Sequence, residues 1–235
     1  MRQNRVIFYF DRADRVLRLL RKMSISANYG LLCVAHQIPP RICPSKERFF
    51  TGAVLVCFTY RMLESVAADL LTMSGALAVI LTLHLYGVYS KYMWPWHILA
   101  SNKKIARLML RKYSGKSFTM CVYCNLNNSF KNTQYKNQAV SLRDILNQRV
   151  SEPEFSQKLI ANFDKIRNFY IKEPSVLRRY FEKFSILYGR TISIRLKDRD
   201  LRGECVGIND DGKLLLRTKE GIKVLSCLDI KCVKI

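Results

Sequence analysis

Acidic side chains are scarce in this sequence: 18 Asp and Glu stand against 40 Lys and Arg over 235 residues, a formal net charge of +22. A surplus of that size speaks to partners and says nothing of fold. Apolar residues are not lacking, at 49%, which excludes a disordered tail, and the composition fits neither a collagen nor a coiled coil. The apolar run Val6 to Phe10 has five residues, against roughly 7–15 in a signal peptide, so no secretion by that route is expected. Eight cysteines are scattered through a chain long enough to fold on an apolar core, so reduced thiols in the cytoplasm are expected rather than a disulfide framework. Histidine is rare, at three; His36, His84 and His97 have no spacing that makes a metal site or a triad, and they read as ordinary polar or core residues. Length allows one large domain, or one medium domain with a small one.

The positive charge is uneven. Residues 1–50 carry +7 and residues 101–150 carry +9, while residues 51–100 are neutral. Within the first block, Val16, Leu19, Leu20 and Met23 recur at helical spacing with arginines between them, which predicts an amphipathic helix with a basic face. Gly52 to Tyr60 is continuous, β-branched and aromatic, and reads as a buried strand. Leu70 to Tyr89 is then twenty residues without a formal charge. That meets the minimum for a membrane span of about 20, but its four polar side chains and the preceding Asp69 favour a core helix packed under a sheet. Phe118 to Leu126 reads as another strand, followed by a polar loop from Asn127 to Asn137. Cys121 and Cys124 form a C-x-x-C inside that strand; without a second pair at ligand spacing they read as buried thiols, not zinc ligands.

Further on, Ser151-Glu-Pro-Glu154 is a capping box with proline just inside the helix start, and Phe155, Leu159, Phe163, Ile166 and Tyr170 follow at helical spacing. A second helix is predicted from Ser175, with Leu177, Tyr180, Phe181 and Phe184 inward. Beyond Gly189 the period switches to two. Strands are predicted at Thr191–Leu196, Leu201–Ile208, Lys213–Thr218, Ile222–Leu225 and Ile230–Val233, with turns at Asn209–Gly212 and Lys219–Gly221. Short strands in such number must pack or close to hide their edges, so a small SH3-like barrel is expected, with a boundary near Tyr188.

The segment Leu187-Tyr-Gly-Arg-Thr-Ile-Ser-Ile, with Leu201-Arg-Gly-Glu-Cys-Val-Gly-Ile-Asn-Asp-Asp-Gly-Lys-Leu-Leu-Leu, resembles the C-terminal domain of bacterial biotin-protein ligases. Gly189, Gly203, Gly207, Ile208, Asp211, Gly212 and Leu214 fall on that family's G-x-x-V-x-V and G-x-A-x-G-I-D-x-D-G-x-L-L-V phrases. Upstream, Tyr92-Met-Trp-Pro-Trp-His-Ile-Leu and Asn102-Lys-Lys-Ile-Ala-Arg-Leu-Met-Leu resemble K-W-P-N-D-I-L and G-x-K-I-A-G-I-L. Cys121-Val-Tyr-Cys-Asn-Leu-Asn is similar to G-I-G-I-N-V-N, and Ala139-Val-Ser-Leu-Arg-Asp-Ile-Leu to A-T-S-L-R-E-I-L. Ala35-His-Gln-Ile-Pro-Pro-Arg-Ile-Cys-Pro stands where the family has A-x-Q-T-x-G-R-G-R-x-G. The resemblance implies an α+β fold, with a mixed sheet and helices of the synthetase-like ligase type at residues 1–188 and an SH3-like barrel at residues 189–235.

It also implies a two-step ligase that uses ATP and biotin as substrates with Mg2+, holds no prosthetic group, and passes biotin through biotinyl-5'-AMP to a lysine of a biotin carboxyl carrier protein. By the same resemblance Lys104 is the catalytic lysine, and Gln37, Arg41, Trp94, Lys103 and Asn125 line the biotin and adenylate site; no metal ligands are expected. Asn125 and Ser141 match motif residues that hold strand ends and turns. The nucleotide loop departs from the pattern. Arg41 and Gln37 remain, but Pro40, Ile42, Cys43 and Ser45 replace the glycines and second arginine, and prolines at 39, 40 and 44 offer no N–H to a phosphate. Met93, Trp96 and His97 replace the Lys, Asn and Asp of K-W-P-N-D, and Arg107 replaces a glycine. The resemblance therefore implies a ligase of reduced or lost activity. The alternative is a non-catalytic relative binding an anionic partner such as nucleic acid, motivated by Lys103, Lys104, Arg107, Arg111, Lys112 and Lys116 with Tyr113 and Phe118 nearby. A homodimer joined through its sheets fits the resemblance; a membrane partner is not expected.

Overall fold

The computed structural model describes residues 7–12, 32–37, 52–61, 68–112, 117–170, 173 and 175–235. The expected basic helix around Val16–Met23 and the loop around Arg41 lie outside them. The strands are β1 (Ile7–Arg12), β2 (Leu32–Gln37), β3 (Ala53–Arg61), β4 (Ser90–Met93), β5 (His97–Ala100), β6 (Lys103–Lys112), β7 (Ser117–Asn125), β8 (Thr191–Arg195), β9 (Asp200–Ile208), β10 (Leu214–Thr218), β11 (Gly221–Leu225) and β12 (Cys232–Lys234). The helices are α1 (Ala68–His84), α2 (Leu142–Leu146), α3 (Glu152–Tyr170) and α4 (Ser175–Phe184). The fold is thus α+β, and the chain divides into two compact units, Met1–Ser65 with Ala100–Leu159 and Val66–Leu99 with Ile160–Ile235.

In the first unit the strand order is β1-β2-β3-β7-β6. β1 and β2 run parallel, whereas β2–β3, β3–β7 and β6–β7 are antiparallel, so the sheet is mixed. Every residue from Ala53 to Phe58 is buried. A strand covered on both faces needs no polar alternation, which is why this stretch reads as one apolar run. The loop after β7 is polar in letters but not in exposure: Asn127 and Asn128 are buried. Asn127 closes both main-chain groups of Val150, donating from Nδ2 to its carbonyl at 2.9 Å and accepting its N–H on Oδ1 at 2.9 Å, and it also donates to Glu152 Oε1 at 3.2 Å. An amide side chain thereby does for the Val150 backbone what a neighbouring strand would do. α2 is capped by Ser141, whose Oγ accepts the Asp144 N–H at 3.0 Å. Ser151 accepts the Glu154 N–H at 3.4 Å ahead of α3, as the capping-box reading expects.

In the second unit α1 is apolar on nearly every side, and its polar letters are turned inward. Thr72, Ser74 and Thr82 donate to the carbonyls of Ala68, Leu70 and Ala78, each four residues back, at 2.9, 2.7 and 2.7 Å. Among the described residues no helix is long and apolar enough to cross a membrane. Phe163 and Ile166 of α3 and Leu177 and Phe181 of α4 are buried. Tyr180 and Phe184, expected inward, are only half-buried and stack on one another at 6.0 Å. All five C-terminal strands form, in an SH3-like antiparallel sheet of order β11-β10-β9-β8-β12. Its tie to α1 is specific. The buried Asp69 carboxyl accepts the Cys227 N–H at 2.6 Å and the Ser226 hydroxyl at 2.9 Å. Gly212, at φ +78°, approaches the same helix end so closely that a Cβ would stand 2.9 Å from the Asp69 carbonyl carbon.

Candidate functional site at the head of strand β6

Lys103 and Lys104 open β6, just after Ser101 and Asn102, whose φ values of 48° and 59° are left-handed. Asn tolerates that region and Ser is the less usual choice, so the turn delivers the two lysines at a set point of the sheet. Both are half-buried. The main chain of Lys104 is held from two directions. Its N–H donates to the Gln138 carbonyl at 2.9 Å and its carbonyl accepts the Val140 N–H at 3.0 Å, so it bridges to Ala139 in parallel fashion. On the neighbouring strand, Asn125 Nδ2 donates to the same carbonyl at 3.3 Å.

Asn125 is itself buried and accepts from Asn128 Nδ2 at 3.3 Å. The Asn128 carbonyl oxygen Oδ1 is buried with no hydrogen-bond partner among the described residues. Gly52, at φ +87°, faces this corner; a Cβ there would stand 2.8 Å from the Asn128 nitrogen, and the Gly52 carbonyl accepts the Asn127 N–H at 2.6 Å. Lys103, Lys104 and Asn125 therefore converge at one end of the sheet. Gln37 ends β2 of the same unit, opposite Arg12 of β1, and Arg41 lies outside the described residues.

Trp94 belongs to the second unit. It sits in the turn between β4 and β5, fully buried, on a cis bond to Pro95, and its indole Nε1 finds no acceptor among the described residues. Tyr92 supports that turn, its hydroxyl donating to the Pro95 carbonyl at 3.0 Å. Burial pushes the Tyr92 phenol well above its ordinary range. Asn127, Asn128 and Gly52 were not among the residues expected at the site. Burial of the two asparagines is the signal that marks them, and a run of polar letters conceals it.

Comparison with known proteins gives this arrangement relatives. Residues 188–227 match the family described as "Biotin protein ligase C terminal domain". The bifunctional ligase/repressor BirA of Bacillus subtilis is 25% identical over 170 residues, which is 68% of this chain and 52% of BirA. The chain thus matches about half the length of that curated relative. The apo structure of the biotin protein ligase from Aquifex aeolicus is similar with a TM-score of 0.81 at 16% identity, covering 98% of this chain and 99% of that one. The same ligase in complex with biotin and ATP gives 0.80 at 18% identity, covering 97% and 98%. The chain thus shares the fold of biotin-protein ligases along nearly its whole length, and its residues 188–227 are similar to their C-terminal domain.

Proposed function

We propose that the protein binds biotin and ATP and joins them as biotinyl-5'-AMP, with transfer to a lysine of a biotin carboxyl carrier protein as the second step. In the first step a biotin carboxylate oxygen attacks the α-phosphorus and pyrophosphate leaves. In the second a lysine amine attacks the acyl carbon and AMP leaves. Negative charge gathers at the α-phosphate in the first step, so a cation held in place beforehand is worth more there than a mobile one. The observation that supports the reading is the fixed main chain of Lys104, bonded by Gln138, Val140 and Asn125. In this reading Lys104 meets the α-phosphate and the biotin carboxylate, and Lys103, Gln37, Arg41 and Asn125 bind biotin and the adenylate, a role that Trp94 takes from the resemblance alone. Prolines at 39, 40 and 44 offer no backbone N–H, and the glycines that would let the backbone approach a phosphate are replaced, so turnover is reduced or lost. The boundary at 188/189 belongs to the same reading, with residues 189–235 as the small module.

Labelled biotin, ATP with magnesium and a carrier domain test it. Carrier labelling is expected, and Lys104→Ala lowers it by about 100–1000-fold, the usual loss for one such donor. Calorimetry that finds neither biotin nor ATP bound at millimolar ligand overturns the ligase reading.

A second reading rests on the +7 and +9 blocks: the surplus serves an anionic macromolecule, with nucleic acid as its class. Binding must then weaken as salt rises, log affinity falling by roughly 0.9 per phosphate neutralised on duplex DNA. A flat dependence removes this reading.

A further inference from the structure

We propose that Cys57 and Cys121, completed by Met109, form a binding site for a soft monovalent metal ion of the copper(I) kind. The observation is a row of sulfur-bearing residues across the first unit's sheet. Cys57 on β3 is the direct register partner of Cys121 on β7, and Cys121 is the partner of Met109 on β6. Cys33 on β2 holds the register position opposite Cys57. Directly opposed residues of neighbouring strands share a face. Cys57 and Cys121 are both buried, with their Sγ atoms 2.6 Å apart, and Met109 is half-buried beside them.

The C-x-x-C spacing hides this pairing. Cys124 lies three residues beyond Cys121 and so falls on the other face, opposite Val54 and Ala106. Burial pushes its thiol far up and keeps it protonated.

The ligand set decides the class of ion. Among the described residues no three His, Cys, Asp or Glu side chains group as a metal cage, whereas zinc in structural sites takes four such ligands. Two thiolates and a thioether are the soft donors that copper(I) prefers. Cross-strand Cβ atoms stand about 4.5–5.5 Å apart. Two sulfurs each about 2.3 Å from one ion span a gap of that size, so the thiols part by side-chain rotation and the strands stay in place. Binding converts two thiols and one copper(I) into a dithiolate complex and releases two protons, with no change of oxidation state. The complex carries one negative charge, and Arg107 stands two residues before Met109 on β6.

The test uses the full chain, reduced and handled without oxygen, titrated with copper(I) held by a chromophoric chelator. One equivalent is expected to transfer, with near-ultraviolet thiolate-to-metal absorption and acid release. Cys57→Ala with Cys121→Ala lowers the affinity of that site roughly a hundredfold or more, Met109→Leu roughly tenfold, and Cys124→Ala leaves it unchanged. A folded double variant that binds as tightly as the parent overturns the proposal, as does equal loss in Cys124→Ala. Peptide mapping of freshly purified protein that finds Cys57 and Cys121 already joined as a disulfide also overturns it. If the double variant does not fold, Met109→Leu decides, and unchanged affinity there sinks the idea.

Discussion

At the scale of single residues, the thiols differ most from one another. Cys232 is exposed, while Cys205 and Cys227 are buried in the same C-terminal sheet region. Burial pushes the Cys205 thiol up from 9.0 to about 11, because the thiolate loses its water. The native state therefore holds this proton longer than the unfolded chain does, so stability is fully present below pH 9.0 and declines as pH rises from there through about 11. Urea midpoints across that range are expected to fall, and Cys205→Ala is expected to flatten the decline. A small alkylating reagent applied to the native protein is expected to modify Cys232 well ahead of Cys205 and Cys227, as peptide mapping would show. Residue identity made some of this legible. Lys104 and Asn125 stood out by their place in ordered motifs, and they share one carbonyl. The Cys57–Cys121 pair was invisible because register, not spacing along the chain, brings these residues together.

At the scale of elements, the caps and ties carry the specificity. Asp69 satisfies two donors at once, and leaving a buried donor unsatisfied costs about 1–3 kcal/mol. Asp69→Ala is thus expected to lower unfolding free energy by roughly 2–4 kcal/mol, read from urea denaturation. Gly212→Ala should act in the same direction, since its Cβ meets helix backbone and its φ is left-handed. Asn127→Ala strips both Val150 groups of their partner and is expected to cost about 2–3 kcal/mol. Most elements were readable from periodicity and punctuation: β3 from its buried run, α3 from its capping box, β8 to β12 from alternation and glycine turns. The Asn127 and Asn128 loop reads in sequence as plainly polar because composition cannot separate a solvated amide from one enlisted to close backbone. Tyr180 and Phe184 show a related limit, since helical spacing picks a side without saying how deeply it is covered.

At the scale of the whole chain, the charge surplus belongs mainly to one part of the sequence. The +7 and +9 blocks both fall within the first unit. In the C-terminal sheet many bases are answered locally: Arg195 meets Asp200 at 3.2 Å, Arg217 meets Glu204 at 2.9 Å and Lys223 meets Glu220 at 2.9 Å. These pairs are exposed and worth little to stability, but they give several of the sheet's bases an acid at hand, whereas residues 101–150 carry +9 with one acid, so binding of a salt-dependent partner is expected to weaken more with charge-removing changes in residues 101–150 than with those in the sheet. Helix α1 has a consequence that concerns the chain before it folds. Seventeen residues span about 26 Å at 1.5 Å each, only slightly less than the roughly 30 Å hydrocarbon thickness. Its three hydroxyls are engaged with its own carbonyls, so the helix presents to its surroundings less polarity than its letters hold. As the segment leaves the ribosome it stands close to the threshold at which an insertion channel diverts a nascent chain into a bilayer, and Thr72, Ser74, Thr82 and the flanking Asp69 set that margin.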